Sequence, residues 1–206
     1  MSGIKNIIFD LGGVLLNIDY SKTKNAFLDL GYTDFEKMYS LSKANNFFDD
    51  LETGHISEAG FYEYMVGAGE GKITKDEIRD AWNAMLLDFR GESLAFLKEL
   101  MQHNKKIFLL SNTNSIHKIA FDESLKTQTG HDSLDSFFTK AYYSCQLGMR
   151  KPNEDIFRFV LQDAGIKPSE TLFIDDLYGN IETANKLGIQ THLLVPGERI
   201  EALDYN

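Results

Sequence analysis

Short apolar runs that break at polar residues limit the folds open to this chain more than any other feature. Lys5-Asn6-Ile7-Ile8-Phe9 stops at Asp10 and continues as Leu11-Gly12-Gly13-Val14-Leu15-Leu16. Lys105-Lys106-Ile107-Phe108-Leu109-Leu110 stops at Ser111-Asn112-Thr113, and Thr171-Leu172-Phe173-Ile174 stops at Asp175-Asp176. Unbroken apolar runs of this length suit strands covered on both faces, as in a parallel sheet with helices packed on each side. Ala141-Tyr142-Tyr143 is a further short strand, and Gln190-Thr191-His192-Leu193-Leu194-Val195 closes the set. Helical spacing separates them: Leu94, Phe96, Leu97 and Leu100; Ile156, Phe159, Val160 and Leu161, stopping near Gly165; and a segment ending at Leu187-Gly188. The polar stretch from about 114 to 138, with Phe121, Leu125, Leu134 and Phe137 dispersed through it, reads as irregular. Alternating strands and helices of these lengths predict an α/β fold, a Rossmann-like parallel sheet core with helices on both faces.

Residues 19 to 88 differ in character. Phe27, Leu28 and Leu30 precede Gly31, and Phe35, Met38, Tyr39 and Leu41 then recur at helical spacing. Ser57 suits a helix cap before Phe61, Tyr64 and Met65, and Thr74-Lys75-Asp76-Glu77 has the capping-box pattern ahead of Ile78, Ala81, Trp82, Met85 and Leu86. No strand pattern interrupts this stretch, which predicts an inserted all-helical cap. The expected division is a core of residues 1–18 and 89–206 and a cap of residues 19–88.

With 43% hydrophobic and 25% charged residues, the composition is that of an ordinary globular protein. A net charge of -10 works against nucleic-acid and anionic-membrane partners. No window approaches the ~18 consecutive apolar residues of a spanning helix. A single cysteine, Cys145, forms no intramolecular disulfide and fits a reducing, cytoplasmic setting. Monomer and homodimer are both open. The five histidines, His55, His103, His117, His131 and His192, lack metal-ligand spacing and read as structural or surface residues. Gly67-Ala68-Gly69-Glu70-Gly71-Lys72 glances at a phosphate-binding loop, but its glycine spacing is short by one and no strand precedes it.

In a parallel sheet the carboxyl ends of the strands gather at one edge, where open α/β folds bind ligands. Asp10, Ser111-Asn112, Lys151 and Asp175-Asp176 would converge there. Singly, each has a bland reading: an Asp after a strand is ordinarily a turn residue, and Ser-Asn-Thr-Asn is an ordinary loop and cap sequence. Two adjacent acids closing an apolar strand are harder to dismiss, because they repel one another without a cation.

Jointly, and in this order, the four segments resemble the motifs of the haloacid dehalogenase-like (HAD) hydrolases, and the likeness spans essentially the whole chain. It is closest to the branch with a helical cap after the first motif, and within it to the glucose-1-phosphate phosphatases. The Phe-Asp-Leu-Gly opening, Leu110-Ser111-Asn112-Thr113-Asn114, Leu147-Gly148-Met149-Arg150-Lys151-Pro152 and Asp175-Asp176 through Asn180 carry that narrower likeness. The resemblance implies a phosphatase in which Asp10 attacks phosphorus to give an aspartyl-phosphate. Mg²⁺ is then held by Asp10, the Gly12 carbonyl and Asp176, with Asp175 and Asn180 in support. Ser111, Asn112 and Lys151 would bind the phosphate, Ser111 and Lys151 also counting as catalytic. The substrate class is a small phosphorylated metabolite.

One position departs from the pattern. Most phosphatases of the family carry a second Asp two residues after the nucleophile, which protonates the leaving group and activates water. Here that residue is Gly12, as in the glucose-1-phosphate branch. Lacking an acid suits a good leaving group, so sugar 1-phosphates are among the expected substrates. Asp19 is either a stand-in acid or the cap of the next helix. Two other functions stay open. One is a metal-independent 2-haloacid dehalogenase, and the other is a degenerate homologue that binds a phosphate ligand or a protein without turnover.

Overall fold

Five parallel strands form the sheet, in the spatial order β5 (Lys140–Tyr143), β4 (Lys106–Ser111), β1 (Asn6–Phe9), β6 (Thr171–Asp175), β7 (Gln190–Leu193). This is a computed structural model that describes residues 3–32, 46–69, 71–103, 105–203 and 205; Phe35, Met38, Tyr39 and Leu41 lie outside the described residues. Alternate strand residues enter different cores. Ile7, Phe9, Ile107, Leu109, Leu172 and Ile174 pack on one side, and Ile8, Phe108, Leu110 and Phe173 on the other. Burying each such side chain contributes about 1.5–3 kcal/mol. A one-residue slip of any strand would exchange its two sets, so packing fixes the register.

Between β2 (Leu16–Ile18) and β3 (Leu86–Phe89) the chain forms α1 (Tyr20–Asp29), α2 (Phe47–Glu52), α3 (Glu58–Ala68) and α4 (Lys75–Asn83). Asp19 caps α1, accepting from the Ser21 N–H at 2.9 Å and the Ser21 hydroxyl at 2.6 Å. Ser57 caps α3 through the Gly60 N–H, and the Thr74–Glu77 capping box opens α4. Phe27, Tyr32, Phe48, Leu51, Phe61, Met65, Ile78 and Trp82 give these helices an apolar cluster of their own, which meets the sheet domain at Ile116.

The stretch is not wholly helical, as the sequence had suggested. β2 and β3 pair as an antiparallel ribbon, Leu16 opposite Phe89 and Ile18 opposite Leu86, so the expected boundary at residue 88 falls inside a strand. A ribbon of three- and four-residue strands, half-buried along much of its length, is too short to leave a period-two signal.

A second difference concerns residues 114 to 138. Most of that stretch is one helix, α6 (Ser115–Thr129), opened by the Asn114 side chain accepting from the His117 N–H and closed by Gly130 at φ 78°. Its buried stripe, Ile116, His117, Phe121 and Leu125, is narrow and interrupted by a polar residue, which hid the period. With α5 (Gly91–Gln102) it covers one face of the sheet. The other face is covered by α8 (Glu154–Asp163) and α9 (Tyr178–Lys186), and the short α7 (Ser144–Leu147) follows β5.

His117 joins the insertion to the sheet domain. Its ring stacks on Trp82 of α4 at 5.1 Å, and its Nε2 lies 3.1 Å from the Trp82 carbonyl. A carbonyl only accepts, so Nε2 carries the proton, leaving Nδ1 to accept from Asn114 Nδ2 at 3.2 Å. Burial, opposed by the bond to Trp82, pushes the imidazole down to about 4 from an ordinary 6.5. Its folded pKa therefore lies below its unfolded value. The contribution to stability is whole above pH 6.5 and is lost as pH falls towards 4, on the order of 3 kcal/mol in all. Denaturant titrations of wild type and His117→Gln should converge across that window, the wild type losing more stability on acidification. Parallel curves would show that His117 is not buried neutral.

Candidate active site

The edge formed by the carboxyl ends of the strands brings the sequence-predicted residues together. Asp10 follows β1, and its N–H extends the ladder to the Ile174 carbonyl at 2.9 Å. The chain then turns tightly, with the N–H groups of Val14, Leu15 and Leu16 all donating to the Leu11 carbonyl. Gly13 makes the turn at φ 73°, and a Cβ there would overlap the Asp176 carboxylate, so the absence of a side chain lets the two loops touch.

Lys151 is the hub. It is 1% exposed, and its Nζ donates to Asp10 Oδ1 and Asp175 Oδ2, both at 2.7 Å. Asn112 fixes its backbone: Asn112 Nδ2 donates to the Lys151 carbonyl at 2.8 Å, and Asn112 Oδ1 accepts the Lys151 N–H at 2.9 Å. The Asn112 side chain is thus committed to holding Lys151, and its carbonyl accepts from the Ser111 hydroxyl at 3.4 Å. Asp175 is equally committed. Besides Lys151 it accepts from the Leu177 N–H at 2.8 Å and from Asn180 Nδ2 at 3.0 Å on each oxygen.

Charge at this edge does not balance. Oxygens of Asp10, Asp175 and Asp176 lie within 4.8 Å of one another, and Lys151 is the ammonium bonded among them. Burial pushes the Asp10 carboxyl up to about 7; Lys151 opposes this, while Asp175 and Asp176 add to it. Asp176 is raised too, by burial and then by Asp175. Burial alone would lower Lys151, but its two carboxylate partners hold the ammonium above its ordinary value. Three acids around one cation suit a site for a further positive ion.

A cavity of about 840 Å³ opens over this edge. Asp10, Gly12, Ser111, Asn112, Lys151, Asp176 and Asn180 line its floor, while Asp175 is fully buried. The insertion supplies Phe48, Asp49, Glu52 and Trp82. Gly12 has no acid to offer, and a Cβ on it would come within 3.0 Å of Ile18 Cδ1. Asp19, the alternative acid, is the cap of α1; its hydrogen bonds to Ser21 hold its carboxyl below the ordinary value, which suits an anion and not a proton donor.

Sequence reasoning gave no role to Asp49, Glu52, Arg150 or Thr113 and read His117 as a structural or surface residue; all five line the cavity. Arg150 bonds Glu52 Oε2 at 2.8 Å and lies 3.0 Å from Asp49 Oδ1. The Arg150–Glu52 pair spans 98 positions, and no local spacing announces it. Arg150 was nevertheless visible as the neighbour of Lys151.

A model of the haloacid dehalogenase-like hydrolase family matches residues 4–188. The chain is 33% identical over 188 residues to a D-ribitol-5-phosphate phosphatase of Bacteroides thetaiotaomicron, an alignment covering 91% of this chain and 90% of that one. Among solved structures, a HAD family enzyme of Bacteroides thetaiotaomicron in complex with magnesium and inorganic phosphate superposes with a TM-score of 0.85 at 34% identity, covering 96% of this chain and 98% of the other. A predicted HAD-like family hydrolase of Porphyromonas gingivalis gives a TM-score of 0.87 at 38% identity, with 98% and 96% covered. The strand-end acids, the buried lysine and the family match over most of the length agree: this chain is a member of the haloacid dehalogenase-like hydrolases.

Proposed function

We propose that the protein is a Mg²⁺-dependent phosphatase that hydrolyses a small phosphorylated metabolite through an aspartyl-phosphate on Asp10. The observation that carries this reading is the charge surplus: three carboxylates within 4.8 Å share one buried ammonium. A dianionic phosphate ester could not approach that surplus alone, and a divalent cation removes it. Asp10, Asp176 and the Gly12 carbonyl would hold the ion, which supplies positive charge against the phosphoryl oxygens. The relative in complex with magnesium and inorganic phosphate supports the same pairing of metal and ligand. A metal-independent dehalogenase would leave Asp176, on the cavity floor, without a task.

This chain's own groups divide the remaining work. Asp10 attacks phosphorus, the bond to the leaving oxygen breaks, and the ester oxygen leaves with the electron pair. Lys151 pairs with the incoming phosphate as well as with Asp10, while Asp175 and Asn112 keep it in place. Ser111, at the end of β4, hydrogen-bonds a phosphate oxygen, as do main-chain N–H groups beside it. Water then cleaves the aspartyl-phosphate, returning the carboxylate and releasing inorganic phosphate.

Replacing Asp10 with Asn should remove turnover by several orders of magnitude while the circular-dichroism spectrum stays that of wild type. Chelation should do the same reversibly, and Asp176→Asn should raise the Mg²⁺ concentration needed for half-maximal rate. Hydrolysis indifferent to all three changes would refute the reading.

Gly12 generates a second expectation. Without an acid at that position, rates should depend steeply on leaving-group pKa, sugar 1-phosphates and aryl phosphates outpacing alkyl phosphates. A general acid or base typically contributes ~10²–10⁴-fold. The obstacle to restoring one is the end of a flexible side chain, since Ile18 Cδ1 is the nearest atom to a Cβ on Gly12. Gly12→Asp combined with Ile18→Ala should therefore flatten the dependence across a graded ester series. A shallow slope in the wild type would mean that another residue protonates the leaving group.

A further inference from the structure

The segment that carries Lys151 is gripped from two sides. On the sheet side, Ser144 Oγ accepts from the Thr113 N–H at 2.9 Å and donates to the Thr113 carbonyl at 3.0 Å. Asn112 repeats that pattern at the other end of the segment, with one bond to the Lys151 N–H and one to its carbonyl. On the insertion side, the grip falls just inside those two points. Gly54, in the turn after α2, lies so close to the chain that a Cβ on it would overlap the Cys145 carbonyl oxygen. Arg150 closes on α2 itself: Nε and Nη2 donate to Glu52 Oε2 at 3.1 and 2.8 Å, and Nη1 lies 3.0 Å from Asp49 Oδ1. Residues 144 and 151 are thus fixed by the sheet domain, and 145 and 150 by the insertion. A cavity of about 300 Å³ follows this seam, with Leu51, Gly54, Ser115 and Cys145 on its walls.

We infer that Arg150 is a positioning residue: by tying α2 to the chain beside Lys151, it makes the insertion a brace for the active-site lysine. This rests on the phosphatase reading, in which Lys151 serves Asp10 and the incoming phosphate in turn. Lysine is a point charge on a flexible stem, so the place of its ammonium depends on how firmly its backbone is held. Nζ bonds Asp10 and Asp175 at 2.7 Å each, and the arrival of a dianion changes the pull on it. A backbone fixed on one side only would follow that pull, and a misplacement of about 1 Å can cost a hundredfold in rate. Arg150 suits this task better than ligand binding. All three of its guanidinium nitrogens are engaged by carboxylates, in a fork geometry that lysine could not reproduce. Two acids around one guanidinium also leave a surplus of negative charge, which repels a phosphate rather than attracting it. The brace has one steric contact and one ionic contact, so each can be removed without the other.

The test removes the brace by three routes: Arg150→Gln, Asp49→Asn together with Glu52→Gln, and Gly54→Ala. The ester is p-nitrophenyl phosphate, which has no hydroxyl for the roof acids to recognise. Each route should lower kcat by roughly ten- to a hundredfold with little change in KM. Adding the two acid replacements to Arg150→Gln should cost no more than Arg150→Gln alone, because all three residues act through one contact. Arg150→Lys keeps the charge without the fork and should recover part of the rate. Cys145, half-buried at the seam, gives a readout free of catalysis: its labelling by a thiol reagent should quicken in Arg150→Gln and in the acid pair. A loss confined to Arg150→Gln, with the acid pair as active as wild type, would overturn the brace and make Arg150 a binder of the substrate anion. Unchanged kcat in Arg150→Gln would overturn it too, whatever the labelling shows. Circular dichroism and Tm identify misfolding, and if Gly54→Ala fails to fold, the near-isosteric acid pair decides the matter. Indifferent variants of an active wild type sink the brace alone. A wild type that cleaves no ester sinks the phosphatase reading and the brace with it.

Discussion

The ammonium of Lys151, buried between Asp10 and Asp175, is the interaction on which the arrangement of this edge depends. An isolated buried cation costs several kcal/mol to desolvate, and one surface-type ion pair would not offset that. Two carboxylates at 2.7 Å, with further donors holding one of them, make the burial tolerable. The groups that hold Lys151 come from different strand ends. Asp10 follows β1, Asp175 ends β6, and Asn112, just past β4, holds the Lys151 backbone at both its N–H and its carbonyl. The parallel registers that place Phe9 beside both Leu109 and Ile174 therefore also assemble the polar cluster. Apolar packing and site geometry are set by the same alignment.

The two acids of the last motif have different lives. Asp175 is wholly enclosed and satisfied by Lys151, Leu177 and Asn180, whereas Asp176 faces the cavity and is pressed close by Gly13. One acid organises, and the other is left in surplus. That surplus distinguishes a floor ready for a cation from a self-contained ion pair. The turn after β1 contributes in the same economical way: Gly13 gives room to Asp176, while the position of Gly12 faces a side chain of the ribbon.

How much of this was legible follows from distance along the chain. β1, β4 and β6 are buried on both faces and so show continuous apolar runs, and their closing residues named the floor of the cavity directly. The roof was not legible. Glu52 and Asp49 lie on a six-residue helix whose relation to Arg150 exists only once the insertion folds back over the sheet. α6 was concealed by its own composition, with its two end signals, Asn114 and Gly130, present but not joined by a broad apolar face. The ribbon of β2 and β3 escaped because pairing between residues 16 and 89 leaves no mark on either three- or four-residue segment alone.

That ribbon has a consequence for how such a protein can vary. Leu16 sits opposite Phe89, and the Arg90 N–H bonds the Leu15 carbonyl at 2.9 Å, so the chain leaves the sheet domain and re-enters it at neighbouring points. The Arg90 guanidinium fastens the same junction, donating to Asn17 Oδ1 and the Val14 carbonyl. Whatever is threaded between those points need only begin and end a few ångströms apart. The helices above can thus lengthen, shrink or be exchanged wholesale while the catalytic sheet keeps its alignment. Lineages sharing this floor are free to explore new chemistry at the roof without first solving the folding problem again.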